Sequence, residues 1–299
     1  MKQKITIVGF GKLGRALDKV LAIKKDLPPI CVWDVVETGD PRQVNSLREA
    51  IKDATVIFLI VPSKNFPECV GKLGTIDPET TLVSCTKGLA GDSGRLPFQI
   101  VTQAYPRNTV GVISGPMLSE ELEEQLPTKA TIASNDLERI EAVVALFRGT
   151  TLTLEKSSDL IGTSLLGILK NVYALALGLS DGLNLGSNFK SCLALQALRE
   201  ISLFVTEQGG KVETMMTPAG LADFLTTGYS SKSRNYTYGF KKAQGQDLGA
   251  IMAEGAVNIG HVVDQTQSTS NYPLLNNIKG IFLQNKDPRQ AILQSLSML

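Results

Sequence analysis

The chain has 299 residues, of which 43% are hydrophobic and 20% are charged, which is the composition of an ordinary globular protein. This length predicts two domains, each large enough to bury a hydrophobic core. Lys and Arg number 30 against 29 Asp and Glu, giving a net charge of +1. That balance excludes a general attraction to nucleic acid or to an anionic membrane.

The cysteines and the apolar segments exclude further classes. The four cysteines show no Cys-x-x-Cys spacing and His261 is the single histidine, so no metal site is predicted. The apolar residues 5–10 are too few for the core of a signal peptide. Residues 160–183 are interrupted by Lys170 and Asp181, so they predict a buried helix and no membrane insertion. A cytoplasmic location fits these features.

The first half of the chain alternates between short β-branched runs and helical patterns. The runs that predict buried parallel strands lie at residues 5–8, 30–33, 56–61 and 81–84, and runs near 110–114, 129–133 and 151–154 could extend the sheet. After about residue 155, helical periodicity replaces the strand signals. The sequence therefore predicts an N-terminal Rossmann-type, doubly wound α/β domain over residues 1–155 and an all-helical C-terminal domain over residues 156–299.

A glycine-rich motif, Gly-x-Gly-x-x-Gly at residues 9–14, follows the first predicted strand and opens a predicted helix over residues 12–22. Gly9 permits a tight turn, Gly11 lets a pyrophosphate approach the backbone, and Gly14 allows the helix to pack closely on the strand. The helix N-terminus adds N–H groups and partial positive charge. The alternative is a glycine-rich turn that holds no ligand.

Asp34 lies twenty positions beyond Gly14, at the end of the second predicted strand. A carboxylate there can accept hydrogen bonds from both ribose hydroxyls of NAD and repels the 2′-phosphate of NADP. NAD is therefore the predicted cofactor. NADP stays an alternative because Arg42 is close enough in sequence to serve a 2′-phosphate, and Asp34 could instead cap a loop.

Eight short stretches occur in the order found in one enzyme family and extend through nearly the whole chain. They are Val61-Pro62-Ser63, Thr86-Lys87-Gly88-Leu89, Ser114-Gly115-Pro116, Leu169-Lys170-Asn171-Val172, Ser180-Asp181-Gly182-Leu183, Ala219-Gly220-Leu221-Ala222-Asp223, Ser233-Arg234-Asn235 and Glu254-Gly255. In these stretches and their order, the chain resembles the NAD(P)-dependent glycerol-3-phosphate dehydrogenases. The resemblance implies reversible reduction of a small phosphorylated ketone, dihydroxyacetone phosphate, to sn-glycerol 3-phosphate for glycerophospholipid synthesis, by an enzyme that is commonly a homodimer.

The resemblance also assigns the catalytic residues. Lys170 is the general acid/base, and apolar neighbours such as Leu166 and Leu169 strip hydration from its ammonium, which favours release of the proton. From its residues alone, without the resemblance, the favoured interpretation of Lys170 is a lysine of a helix surface whose head reaches solvent. Lys87 supplies a second positive charge near the developing alkoxide, or is a solvated loop lysine. Asp223 orients the ammonium of Lys170 and contacts a substrate hydroxyl, or caps a helix.

Binding residues follow from the same resemblance. Those expected to hold the substrate are Lys87, Gly115, Lys170, Asp223, Ser233, Arg234 and Asn235, with Ser233 to Asn235 on its phosphate. Those expected to hold the cofactor are Gly9, Gly11, Lys12, Leu13, Gly14, Asp34, Pro62, Lys87, Ser119, Arg234 and Glu254.

Several positions depart from the family pattern. Lys12 and Leu13 replace a serine and an aromatic residue of the glycine-rich loop, and the stretch between the second and third strands is short. Met117 stands where the family has a small polar residue that helps to hold substrate. Residues 236–238 read Tyr-Thr-Tyr in place of a basic pair and a phenylalanine.

These departures leave two alternatives. Because of Met117, the chain could be a related dehydrogenase that acts on another small phosphorylated ketone or hydroxy acid. It could also be a catalytically weak NAD-binding sensor. Against a sensor stands the joint presence of Lys87, Lys170, Asp223 and Arg234, because a sensor needs no proton donor.

Overall fold

A computed structural model describes residues 3–249 and 251–296, apart from the side chain of Asp92. The chain forms two compact units, which divide between Ser164 and Leu165. We call them the N-terminal unit and the C-terminal unit.

The N-terminal unit contains a seven-stranded sheet. Its strands are β1 (Ile5–Val8), β2 (Ile30–Trp33), β3 (Val56–Leu59), β4 (Thr81–Ser84), β5 (Val110–Ser114), β6 (Thr128–Ser134) and β7 (Leu152–Ser157). The order is β2-β1-β3-β4-β5-β6-β7, and every pair is parallel except β5 with β6. From β1 the chain continues to β2 on one side of β1 and then crosses to β3 on its other side. This reversal creates a switch point at the carboxyl ends of β1 and β3. The predicted doubly wound domain is confirmed.

Helices cover both faces of this sheet. They are α1 (Lys12–Leu21), α2 (Leu47–Ile51), α3 (Phe66–Lys72), α4 (Pro97–Ala104), α5 (Ser119–Glu123) and α6 (Glu141–Phe147). Because side chains alternate along a strand, Ile5 and Ile7 enter one core cluster, with residues of α1 and α6, while Val8 enters the other, with residues of α2 and α3. Burial on both faces explains why the central strands are continuous apolar runs and not alternating ones.

The C-terminal unit is helical, and no strand occurs among residues 165–249 and 251–296. Its helices are α7 (Leu160–Gly182), α8 (Gly186–Glu207), α9 (Asp223–Tyr229), α10 (Arg234–Ala243), α11 (Glu254–Asp264), α12 (Pro273–Leu283) and α13 (Pro288–Gln294), and a π-helical turn over Pro218–Ala222 precedes α9. The predicted all-helical domain is confirmed.

The long helix α7 is predominantly apolar. It is long and apolar enough to cross a membrane by length and composition, yet 89% of its most apolar window is buried in the protein. Helix α10 packs directly on it: a Cβ at Gly239 would lie 2.0 Å from the carbonyl oxygen of Leu175, and one at Gly178 would lie 2.0 Å from that of Tyr236. The two backbones can approach this closely only because glycine occupies both contact points.

The predicted domain boundary after residue 155 lies within β7, and the division between the compact units lies within α7. The change of sequence pattern near residue 155 thus marks the approaching end of the sheet. The first residues of α7 cluster with the N-terminal unit, although their periodicity is already helical.

Candidate active site

The glycine-rich loop connects β1 to α1, and each of its three glycines meets a different steric demand. Gly9 has a φ of +95°, and a Cβ there would lie 2.3 Å from the carbonyl oxygen of Ile60. A Cβ at Gly14 would lie 2.2 Å from the Gly9 carbonyl oxygen, whereas one at Gly11 would meet nothing within 4 Å. The loop therefore has a tight turn, a close helix–strand contact and an open approach between them, which fits a bound pyrophosphate.

The start of α1 suits an anion. The helix begins at Lys12, its N-cap residue Gly11 provides no side-chain cap, and its first turn carries no acidic residue. The first-turn N–H groups of a helix have no partner within the helix, so they are available to a ligand. Lys12 is exposed there, whereas Leu13 packs against the core. Of these two departures from the family pattern, only Lys12 can add a charge to this surface.

Asp34 follows β2 directly and is tied to the glycine-rich loop. The backbone N–H of Phe10 donates to Asp34 Oδ2 at 2.6 Å, and that of Val36 donates to Oδ1 at 3.1 Å. Each carboxylate oxygen keeps further lone pairs for a ligand. A pocket of about 480 Å³ opens beside it, and the acidic residues that line it are Asp34, Glu37 and Asp40.

Arg42 is held between two carboxylates. Its Nη1 and Nη2 donate to Asp18 Oδ1 and Oδ2 at 2.8 and 2.7 Å, and its Nε and Nη2 donate to Asp40 at 3.0 and 2.7 Å. The hydrogen bond from Arg42 lowers the pKa of Asp40, and the hydrogen bonds to Asp40 and Asp18 raise the pKa of Arg42. The guanidinium is thus engaged by the protein itself, which weakens the alternative that Arg42 serves a 2′-phosphate.

Lys87 lies in the loop after β4, at the carboxyl edge of the sheet, as predicted. It is half-buried, and its Nζ donates to the carbonyl oxygen of Gly115 at 2.6 Å, just beyond the end of β5. A Cβ at Gly115 would lie 2.8 Å from the Cα of Ala130, so the close approach of these two backbones requires glycine. Because β1, β3, β4 and β5 are parallel, Lys87 lies along the same edge as the glycine-rich loop.

Three further predicted positions of the N-terminal unit differ in their surroundings. Pro62 is exposed at the loop after β3, and Ser119 is the half-buried first residue of α5. Met117 is 8% exposed and belongs to the hydrophobic core cluster. Its side chain therefore fills the core, and the small polar residue of the family pattern has no counterpart at this position.

In the C-terminal unit, Lys170 is buried with an acidic partner. Its Nζ donates to Asp223 Oδ1 and to Thr227 Oγ1, both at 2.6 Å. Lys170 is 7% exposed, Asp223 1% and Thr227 4%, so the ammonium does not reach to the surface. Asp223 and Thr227 share one face of α9, one turn apart.

Sequence reasoning found two of these three residues and missed Thr227. The signal for Thr227 is its position four residues after Asp223 on a helix. That spacing becomes informative only once the face of α9 that meets Lys170 is known.

The residues predicted to bind the substrate phosphate lie at the start of α10. Ser233 caps the helix, with its Oγ accepting from the N–H of Tyr236 at 3.3 Å. Arg234 is the first helical residue and is exposed, and within residues 3–249 and 251–296 no ion pair involves its guanidinium. An exposed guanidinium beside a helix N-terminus is a suitable partner for a dianion.

Asn235 instead links three helices. Its Nδ2 donates to Asn171 Oδ1 at 2.8 Å, and its Oδ1 accepts from the backbone N–H of Gly255 at 2.8 Å. One N–H of its amide is left for a ligand. Glu254 is the half-buried first residue of α11, and Asn258 donates to its carbonyl oxygen at 2.7 Å.

The predicted residues thus form local groups within each unit. The N-terminal unit brings together the glycine-rich loop with Asp34, and Lys87 with Gly115; the C-terminal unit brings together Lys170, Asp223 and Thr227, and places Ser233, Arg234 and Asn235 at one helix start. A doubly wound sheet with a glycine-rich loop at its switch point, joined to a helical unit with a buried lysine–aspartate pair, defines a dinucleotide-binding enzyme of the dehydrogenase type.

Comparison with known proteins identifies the family. The models of the N-terminus and C-terminus of NAD-dependent glycerol-3-phosphate dehydrogenase match residues 40–140 and 159–293. A glycerol-3-phosphate dehydrogenase (NAD(P)+) of Synechocystis sp. is 35% identical over 268 residues, covering 89% of this chain and 81% of the relative. A relative from Coxiella burnetii is 32% identical over an alignment of 325 residues, which covers 99% of this chain and 97% of the relative. The chain belongs to the NAD-dependent glycerol-3-phosphate dehydrogenase family.

Comparison with solved structures leads to the same family. The crystal structure of glycerol-3-phosphate dehydrogenase from Coxiella burnetii matches with a TM-score of 0.90 at 30% sequence identity, covering 99% of both chains. The resemblance and the fold class predicted from the sequence are confirmed.

Proposed function

We propose that this protein reversibly reduces dihydroxyacetone phosphate to sn-glycerol 3-phosphate with a nicotinamide dinucleotide and so supplies glycerophospholipid synthesis. The observation that carries the proposal is the buried ammonium of Lys170, which Asp223 and Thr227 hold at 2.6 Å in a chain of this family. Reducing a ketone requires a hydride, a proton for the oxygen and, for this substrate, a grip on a phosphate dianion. The nicotinamide, when bound, supplies the hydride.

Lys170 meets the requirement for a proton donor. Its donation to the Asp223 carboxylate favours the protonated ammonium, so a proton is at hand for the ketone oxygen. Asp223 and Thr227 fix the direction of the ammonium, which restricts its motion before the reaction. Lys87, oriented by the Gly115 carbonyl, supplies a second positive charge where negative charge develops on the oxygen.

Arg234 and the start of α10 meet the requirement for a phosphate grip. The exposed guanidinium can form paired hydrogen bonds with phosphate oxygens, and the N-terminus of this ten-residue helix adds partial positive charge. Ser233 and the remaining N–H of Asn235 complete the proposed phosphate site.

The cofactor we propose is NAD in preference to NADP. The glycine-rich loop holds the pyrophosphate, and Asp34 accepts from the ribose hydroxyls. Two observations favour NAD: the pocket beside Asp34 is lined by further carboxylates, and Arg42 is engaged by Asp18 and Asp40. Among the described residues that line this pocket there is no cation, so a 2′-phosphate would meet acidic side chains there. Further cofactor contacts are proposed for Pro62, Ser119 and Glu254.

The first experiment tests Lys170. Purified protein is expected to oxidise NADH, followed by absorbance, when dihydroxyacetone phosphate is added. Lys170→Ala should lower kcat by about 10²–10⁴-fold, while NADH affinity measured by fluorescence titration stays unchanged. Lys52→Ala, which alters an exposed lysine, is the matched control. Wild-type turnover in Lys170→Ala would refute the acid/base role, and turnover only with other ketones would refute the substrate.

The second experiment tests the cofactor preference. Asp34→Ala should lower the ratio of kcat/KM for NADH to kcat/KM for NADPH, because the ribose contact and the repulsion of the 2′-phosphate are lost together. Arg42→Ala should leave kcat/KM for NADPH unchanged. An unchanged ratio in Asp34→Ala, or a selective loss of NADPH turnover in Arg42→Ala, would overturn this assignment.

The third experiment tests the phosphate grip. Arg234→Ala should raise KM for dihydroxyacetone phosphate by about 10–100-fold, because a charge-assisted pair contributes about 1.5–3 kcal/mol. The same substitution should affect unphosphorylated dihydroxyacetone much less. Equal losses for the two ketones would rule out a phosphate clamp.

The protein is also proposed to act in the cytoplasm as a homodimer, in keeping with its family resemblance. Sedimentation equilibrium of the purified protein tests the assembly, and a mass of one chain at micromolar concentration would contradict it.

A further inference from the structure

A second buried lysine, Lys190 on α8, lies in an aromatic and acidic surrounding. Its Nζ is 2.5 Å from Asp181 Oδ2, 4.2 Å from the ring centroid of Tyr229 and 5.0 Å from that of Tyr236. The hydroxyl of Tyr236 donates to the same Asp181 oxygen at 2.6 Å. We call these four residues the Lys190 cluster. They come from α7, α8, α9 and α10, so the cluster joins four helices.

Lys190 is 8% exposed, and a buried ammonium costs free energy unless charge and dipoles compensate it. Here one carboxylate and two ring faces provide that compensation. The proposed chemistry uses none of the four residues. Any effect of the cluster on the reaction therefore passes through the helices that it joins.

The two tyrosines bracket the segment that leads into the phosphate site. Tyr229 is the last residue of α9, and Tyr236 is the third residue of α10, whose first residue is Arg234. The N–H of Tyr236 also donates to Ser233, the N-cap of α10. Lys190 therefore contacts one residue before and one residue after the segment 230–233.

We propose that Lys190 is a positioning residue for Arg234: it holds the connection between α9 and α10 so that the backbone of Arg234 is already placed for its guanidinium to reach a phosphate dianion. This inference rests on the proposed function. A backbone held in place loses less conformational freedom when the phosphate binds, so the cluster should act on KM for the phosphorylated substrate and leave the chemical step unchanged.

The test uses Lys190→Met, which keeps the chain length and removes the charge, and Lys190→Arg, which keeps a cation that can stack on aromatic rings. With saturating NADH, Lys190→Met should raise KM for dihydroxyacetone phosphate by about tenfold and change kcat by less than about twofold. KM for unphosphorylated dihydroxyacetone should stay within about twofold of wild type, and Lys190→Arg should restore most of the loss.

A double variant separates positioning from general stability. If Lys190 acts through Arg234, Lys190→Met should add nothing to KM in the Arg234→Ala background. Equal KM increases for both ketones, or a full additional increase in that background, would overturn the proposal. Tyr229→Leu removes one of the two rings that Lys190 contacts, so it carries the same test if Lys190→Met does not fold.

The outcomes also separate this inference from the proposed function. If Arg234→Ala raises KM for the phosphorylated ketone and Lys190→Met does not, positioning by Lys190 is refuted and the phosphate clamp stands. If Arg234→Ala has no effect on that KM, the clamp is refuted and the positioning role falls with it.

Discussion

Removing the carboxylate of Asp223 is the substitution whose physical consequence the structure defines best. The Lys170 and Asp223 side chains are 9% and 2% exposed, and 2.6 Å separates Nζ from Oδ1. In Asp223→Ala the buried ammonium loses this carboxylate, and the hydroxyl of Thr227 carries no charge to replace it. Lys170→Met produces the reverse case, a buried carboxylate without the ammonium.

Breaking a buried ion pair by removing one partner costs about 3–5 kcal/mol, whereas removing both charges together is often close to neutral. Asp223→Ala should therefore lower the free energy of unfolding by about 3–5 kcal/mol. At about 2–4 °C per kcal/mol, the melting temperature should fall by roughly 6–20 °C. The double variant Lys170→Met/Asp223→Ala should be more stable than Asp223→Ala alone, although it lacks one more native side chain.

The measurement is a thermal melt followed by circular dichroism, together with urea denaturation, for wild type, both single variants and the double variant without cofactor. Comparing the four proteins isolates the coupling between the two charges. A double variant that loses the sum of the two single losses would refute the reasoning, because additivity means that the two charges do not depend on each other.

Three further predictions concern other parts of the molecule. Gly14→Ala should weaken NADH binding at least tenfold in a fluorescence titration, because its Cβ would lie 2.2 Å from a backbone carbonyl oxygen, whereas Gly71→Ala, with nothing within 4 Å of its Cβ, should bind as wild type does. Burial raises the pKa of Glu200 above 4.5, so wild type should lose stability relative to Glu200→Gln as pH rises from 4.5 through the raised pKa. Urea titrations at a series of pH values measure the difference between the two free energies of unfolding. A difference that does not change with pH would contradict this prediction. Burial raises the pKa of Cys85 to about 12, so iodoacetamide should label the exposed Cys192 first, as peptide mapping would show, and early labelling of Cys85 would contradict its burial.

The sheet was largely predictable because each strand carries its own local signal. The predicted runs at 5–8, 30–33, 81–84 and 110–114 coincide with β1, β2, β4 and β5. The run at 56–61 is longer than β3, which ends at Leu59 before the exposed Pro62. The antiparallel pairing of β5 with β6 could not be predicted, because periodicity indicates a strand and not its direction.

The site divides in the same way between local and distant determinants. The glycine-rich loop was predictable because its three glycines and the start of the helix that they open are neighbours in sequence. Thr227 and the bridging amide of Asn235 depend on contacts between helices that are far apart in sequence. The engagement of Arg42 depends on Asp18, which lies 24 residues earlier on another element. Nearness in sequence suggested Arg42 as a phosphate ligand, but its availability is decided by the residues that pair with it.

Lys170 shows that more could have been inferred from the sequence than position alone suggests. Residues 162–180 of α7 are all buried, as predicted for this predominantly apolar segment. A helix that is buried on every side has no face along which a lysine can reach water, so a surface lysine and a buried helix are incompatible interpretations of the same segment. The ammonium must then find an acid inside the protein, and the acid must come from another helix, because no Asp or Glu lies within one turn of Lys170 on α7. The search for that acid among the later helices leads to Asp223, where the chain also places the threonine that sequence reasoning missed.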